Sequence, residues 1–210
     1  MTPVWDVLVY VVLPLWVLAG FADYCCHRAA HMERATGPRE SMLHWLMLAQ
    51  VGLPLVLAVF FRINALLLSL MILAFIAHEI TGYIDLRLAM ATRKVTAFEH
   101  QVHSFLEILP LTAILLVMTL HWPQTLALFG KGSEHADFSL GPKQIPRWGE
   151  LIPPFAAFLI FALLPYAEEL RRGFRAERAD QAAVNKVMEV QPPDAGSSTE
   201  RGGDSHSRAT

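Results

Sequence analysis

Five apolar runs dominate this chain, at residues 4–22, 43–60, 63–80, 105–121 and 151–166. Each approaches the roughly 20 residues that carry an α-helix across a bilayer core, the last being the shortest. Hydrophobic residues make up 54% of the chain and charged residues only 17%, and a soluble domain of this size has nowhere to bury runs so long. The fold class is therefore all-α, an integral-membrane helical bundle of about five transmembrane helices. FRIN alone joins the second and third runs, which makes them a tight antiparallel hairpin. Pro14, Pro54 and Pro110 fall within or at the start of helices, where neighbouring helices absorb a kink.

Residues 1–170 form the transmembrane domain. Residues 171–210 are expected as a basic, disordered cytoplasmic tail, ending in QPPDAGSSTERGGDSHSRAT, which has almost nothing to bury. The first run has no basic segment before it and no small-residue cleavage site after it, so it reads as a retained helix. Cys25 and Cys26 are adjacent and read as packing residues. A net charge of -2 and the lack of any nucleic-acid motif argue against a polyanionic partner.

Lys and Arg set the expected orientation. Arg28, Arg34 and Arg39 follow the first run; Arg87, Arg93 and Lys94 follow the third; Arg171, Arg172, Arg175 and Arg178 follow the fifth. The opposite side carries only Arg62, Lys131, Lys143 and Arg147. The basic side is thus read as cytoplasmic, with the N-terminus outside, as in a bacterial inner membrane.

The ionisable residues among the runs follow helical spacing. The first helix carries Asp23, His27 and His31; the second Glu40 and His44; the third His78 and Asp85; the fourth Glu99, His103 and Glu107. Residues four or seven apart share one helical face, so each helix presents a stripe. All four stripes fall at the basic ends of their helices. At about 1.5 Å per residue they stack in layers. Asp23, His78 and Glu107 are expected deepest, and His27, His44 and His103 central beside Gly82. His31, Glu40, Asp85 and Glu99 form the rim. Glu79 and His100 read as supporting or surface groups.

Charge inside a membrane costs roughly 2.5–3.5 kcal/mol per residue at a helix centre, so ten such groups at one depth need a compensating partner. Histidine with carboxylate suits iron, manganese or zinc, and two metals bridged by a carboxylate use most of the set, as in soluble carboxylate-bridged bundles. The four stripes make a four-helix metal-binding core. A purely structural network of carboxylates with Arg28, Arg87 and Arg93 is the bland alternative.

HRAAH (His27, His31) and HQVH (His100, His103) resemble the histidine boxes of the integral-membrane non-haem diiron enzymes, the fatty-acid desaturase and hydroxylase group. The resemblance covers roughly residues 20–107. It implies two iron ions that activate dioxygen to hydroxylate, desaturate or oxidatively cleave an apolar or amphipathic, lipid-like substrate. Electrons then come from an external reductase or ferredoxin docking on the basic face. In this reading the five histidines His27, His31, His44, His78 and His103 are terminal ligands, and Glu99 or Glu107 is the bridging, catalytic carboxylate. Asp23 and Asp85 ligate or orient histidines, and Gly82 leaves room for dioxygen or substrate. Two further readings remain open: a zinc hydrolase of lipid amides or esters with Glu99 or Glu107 as base, and a non-catalytic haem or metal carrier.

Overall fold

A computed structural model describes residues 2–143 and 148–190. The 191–210 tail lies outside the described residues. Among the described residues there are helices and turns, with a single isolated antiparallel bridge at Phe61 and Pro142. Five helices are long and apolar enough to cross a membrane, as expected. In chain order the helices are α1 (Pro3–Ala29), α2 (Met32–Ala35), α3 (Arg39–Phe60), α4 (Ala65–Thr92), α5 (Ala97–Leu120), α6 (Trp122–Leu128) and α7 (148–190).

Most of these helices outrun their apolar cores at the basic end. α1 continues past residue 22 to Ala29, α4 past residue 80 to Thr92, and α5 begins at Ala97 rather than residue 105. The ionisable stripes, His31 excepted, thus stand on helical backbone. Caps fix the starts: Asn64 Oδ1 accepts the Leu67 N–H at 3.3 Å at the head of α4. Thr96 and Glu99 form a reciprocal capping box at the head of α5.

Residues 171–190, expected as part of an unstructured tail, instead extend α7 to Val190. Ala, Glu, Arg and Lys dominate that segment and favour helix without any need for burial. The chain divides into two units, Met1–Glu177 and Arg178–Thr210, and the polar core lies within the first.

Two π turns interrupt the helices, Leu8–Val12 in α1 and Leu159–Leu163 in α7. Each hands over just before a proline: the Leu13 N–H bonds Leu8 O ahead of Pro14, and the Leu164 N–H bonds Leu159 O ahead of Pro165. Proline has no N–H for the next rung, so a widened turn costs little there.

α1 packs along α5, α3 along α4, α4 along α5, and the π turn of α7 against α1. Leu8, Val12 and Ala19 meet Leu109 in an apolar seam towards the end away from the polar core. The Trp45 indole N–H donates to the Tyr166 carbonyl at 3.2 Å and ties α3 to α7. Outward faces remain apolar, with Leu18, Leu73, Ile76, Ile84 and Leu115 exposed, as lipid contact requires.

Candidate metal centre

The stripes converge. His27 is fully buried and Asp23, Glu40, His44, Asp85 and Glu99 are nearly so, although each side chain is polar. Two groups have donor atoms within 4.8 Å of one another and can hold a metal ion: Asp23, His27 and His103, and His27, Glu40 and His44. His27 belongs to both. Its Nε2 stands 3.5 Å from Asp23 Oδ1, 3.5 Å from Glu99 Oε1 and 4.0 Å from Glu40 Oε1. His103 Nε2 lies 3.1 Å from the same Asp23 oxygen. On the other side, His44 Nε2 lies 3.3 Å from Asp85 Oδ2.

The opposite nitrogens are held from a fifth helix. Glu169 of α7 places Oε2 at 3.1 Å from His27 Nδ1 and Oε1 at 2.8 Å from His44 Nδ1. An ionised carboxylate only accepts, so both Nδ1 atoms carry hydrogen and each neutral ring offers its lone pair at Nε2. The two rings stack with centroids 4.6 Å apart and planes 5° from parallel. A lone pair does not face a carboxylate oxygen stably. At His27 and His44 either a proton or a cation must lie between.

Spacing accommodates a cation. Donors about 2.1 Å from one ion are roughly 3.0–3.4 Å apart along the edges of an octahedron or tetrahedron. The separations of 3.1, 3.3, 3.5 and 3.5 Å fall close to those edges. Among the described residues, Asp23 Oδ1, His27 Nε2, Asp85 Oδ1 and both ring nitrogens of His103 are buried without a hydrogen-bond partner. Native buried polar atoms rarely stand so.

Charge points the same way. Asp23, Glu40, Asp85, Glu99 and Glu169 are five buried carboxylates, and among the described residues one guanidinium, that of Arg93, reaches them. With neutral histidines an excess of four negative charges is left in a low-dielectric interior. Arg93, just beyond the end of α4, donates Nη2 to Glu40 Oε1 at 2.6 Å and to Glu99 Oε1 at 2.5 Å. Burial opposes its charge, but the bonds to Glu99 and Glu40 prevail and hold the guanidinium above its ordinary pKa.

Seven of the ten residues marked by the sequence are thus brought together, and three are not. α1 ends at Ala29, and His31 takes a left-handed conformation (φ 50°) to turn the chain. Its ring is 65% exposed, beside Glu33, so the HxxxH spacing does not span one helix. Glu107 is exposed: eight residues on from Glu99 it has rotated about 80° around α5, away from the cluster. His78 is buried on the Asp85 face of α4 but about 10 Å deeper, and it belongs to neither ligand group.

The layering changes accordingly. Asp23 stands level with His27 and His103, and Asp85 with His44, rather than one turn deeper or shallower. At Gly82, Met47 Sδ stands 3.7 Å from where a Cβ would be, an ordinary packing contact. Glu169 is the residue missed by sequence reasoning, which follows stripes on the first four helices alone. The available signal was a pair of glutamates at the basic end of a span. No protein-family model, curated protein or solved structure matches this chain.

Proposed function

We propose that the cluster is a dinuclear metal centre, most simply two iron ions, of a membrane-embedded oxidoreductase that activates dioxygen against an apolar or amphipathic substrate. His27, His103 and Asp23 serve one position, His44 and Asp85 the other, and Glu40 and Glu99 stand within reach of the first. The observation that carries this reading is the excess of four buried negative charges around two histidines whose Nε2 lone pairs are set by one carboxylate. Two divalent ions neutralise that excess.

When bound, such a pair of metals supplies dioxygen activation and redox equivalents. The chain supplies the rest. Glu169 would hold the two imidazoles in the metal-binding tautomer, Asp23 and Asp85 would supply hard anionic donors, and Glu40 and Glu99 would add carboxylate oxygens beside His27. The surrounding helices exclude bulk water, and their apolar faces put a lipid-phase substrate close by. Electrons come from an external donor on the basic face, read as cytoplasmic. A single zinc, as in a hydrolase, satisfies Asp23, His27 and His103 but leaves two negative charges and the His44–Asp85 pair uncompensated.

Metal analysis and an optical spectrum of the purified protein test the proposal. Two irons per chain without a haem Soret band are expected. One zinc, or haem, sinks the oxygenase reading.

A further inference from the structure

Two carboxylate oxygens in the cluster face two different cation positions. Glu40 Oε1 and Glu99 Oε1 each accept from Arg93 Nη2, at 2.6 and 2.5 Å. The same two atoms stand 4.0 and 3.5 Å from His27 Nε2. An ion bound to either oxygen at about 2.1 Å therefore stands within roughly 4.7 Å of Nη2, where two like charges in a buried site repel strongly. Building on the metal-centre reading, we propose that Arg93 is a displaceable counter-ion. It neutralises Glu40 and Glu99 while the centre lacks metal, and it yields both oxygens to a divalent ion as the centre loads.

The local backbone suits such an exchange. Arg93 is extended (φ -148°, ψ 168°) and is the first residue beyond α4, with the cap of α5 at Thr96. Thr92, Lys94 and Thr96 around it are exposed, so the guanidinium has a short route to solvent by side-chain rotation. Its Nη1 is buried without a partner among the described residues, so its present seat leaves a donor unused. Glu99 does not depend on Arg93 for its position. Its Oε2 accepts the Thr96 N–H at 3.4 Å and its own N–H donates to Thr96 Oγ1 at 3.1 Å, and both bonds remain when the guanidinium leaves. Loading of the centre is thereby displayed at the α4–α5 connection, where an arginine becomes exposed.

Manganese(II) is the probe, because it accepts nitrogen and oxygen donors. Its affinity is measured by chelator competition for the wild-type chain and for R93Q, and phenylglyoxal modification of Arg93 is followed by mass spectrometry with and without the ion. R93Q is expected to bind manganese tighter by roughly tenfold, within the usual range of coupling between two ligands, and Arg93 of the wild type to modify faster once loaded. Weaker or equal binding by R93Q, or modification that is unchanged or slowed by metal, overturns the exchange. Should R93Q fail to fold, the wild-type modification experiment decides alone. Failure of the wild-type chain to bind manganese, iron(II) or zinc overturns the metal centre itself and the exchange with it. Metal binding without the Arg93 response overturns only the exchange.

Discussion

The imidazole rings of His27 and His44 stack 4.6 Å apart and 5° from parallel, although they come from helices separated by a left-handed turn at His31 and Gly37. Parallel rings held at Nδ1 by one carboxylate aim their Nε2 atoms the same way. Ions bound there would stand apart by about the ring spacing of 4.6 Å, somewhat more than the roughly 3.5–4 Å of two-metal sites. The arrangement sets a distance as well as a ligand type, and it depends on a helix that contributes no donor to either ligand group.

Replacing Glu169 tests that dependence. In Glu169→Gln one carboxylate oxygen becomes an NH2 group, which opposes one of the two Nδ1–H donors and turns that ring or its tautomer. Losing such a partner behind a ligating histidine typically costs 10–100-fold in metal affinity. The expected result is a loss of that size in iron(II) or manganese(II) affinity, with helix content retained by circular dichroism. Unchanged affinity means that the carboxylate does not set the rings.

Ligand substitutions separate the cluster from the sequence stripes. His27→Ala removes the residue common to both ligand groups and is expected to lose the metal held with Asp23 and His103. His103→Ala is expected to lose the metal shared with Asp23. His31→Ala and Glu107→Gln are expected to keep the full metal content, because both side chains lie outside the cluster and are exposed. Inductively coupled plasma analysis of the four purified variants reads the result directly. Full metal in His27→Ala, or loss in His31→Ala, contradicts the placement.

The sequence disclosed whatever obeyed helical phase and little else. Asp23 with His27, Glu40 with His44, and Glu99 with His103 each sit four residues apart on unbroken helix, and all were legible. His31 has the same spacing, but the helix stops at Ala29, and nothing in HRAAH marks that stop. Glu107 continues the arithmetic while drifting around α5, as a four-residue step must against a 3.6-residue turn. Glu169 was hidden for a different reason. The π turn at Leu159–Leu163 inserts one residue, so periodicity counted from the apolar half of α7 assigns the wrong face beyond Pro165. Membrane helices and their number were readable from length and hydropathy, whereas the participation of the fifth helix in the core was not.

Metal removal should be felt as instability. Without metal the cluster retains four excess negative charges apart from any protons it takes up, so the folded state gains from every bound cation. An ion present at about 100 times its dissociation constant contributes about 2.7 kcal/mol per site. Chelation is therefore expected to lower the detergent-solubilised melting temperature, and restoring iron(II) or manganese(II) to recover it. Wild-type protein that melts identically with and without metal has a cluster balanced by protons alone.

Seating of α7 gives the last test, because Gly173 lies one turn beyond Glu169 on the same face. A Cβ at Gly173 would stand 2.8 Å from both Gly37 O and Pro38 Cα, backbone atoms that cannot move aside cheaply. Gly173→Ala must push α7 off the turn before α3, at a cost of about 1–3 kcal/mol for overpacking. The same displacement carries Glu169 away from His27 and His44, so metal affinity falls together with thermal stability. Gly52→Ala is the control: it adds a methyl group where no heavy atom of another element lies within 4 Å, and alanine favours helix over glycine by about 1 kcal/mol. It is expected to leave metal content unchanged and stability equal or higher. If Gly173→Ala melts earlier yet binds metal as tightly as wild type, α7 supports the fold without setting the histidines, and Glu169 loses the role its geometry gives it.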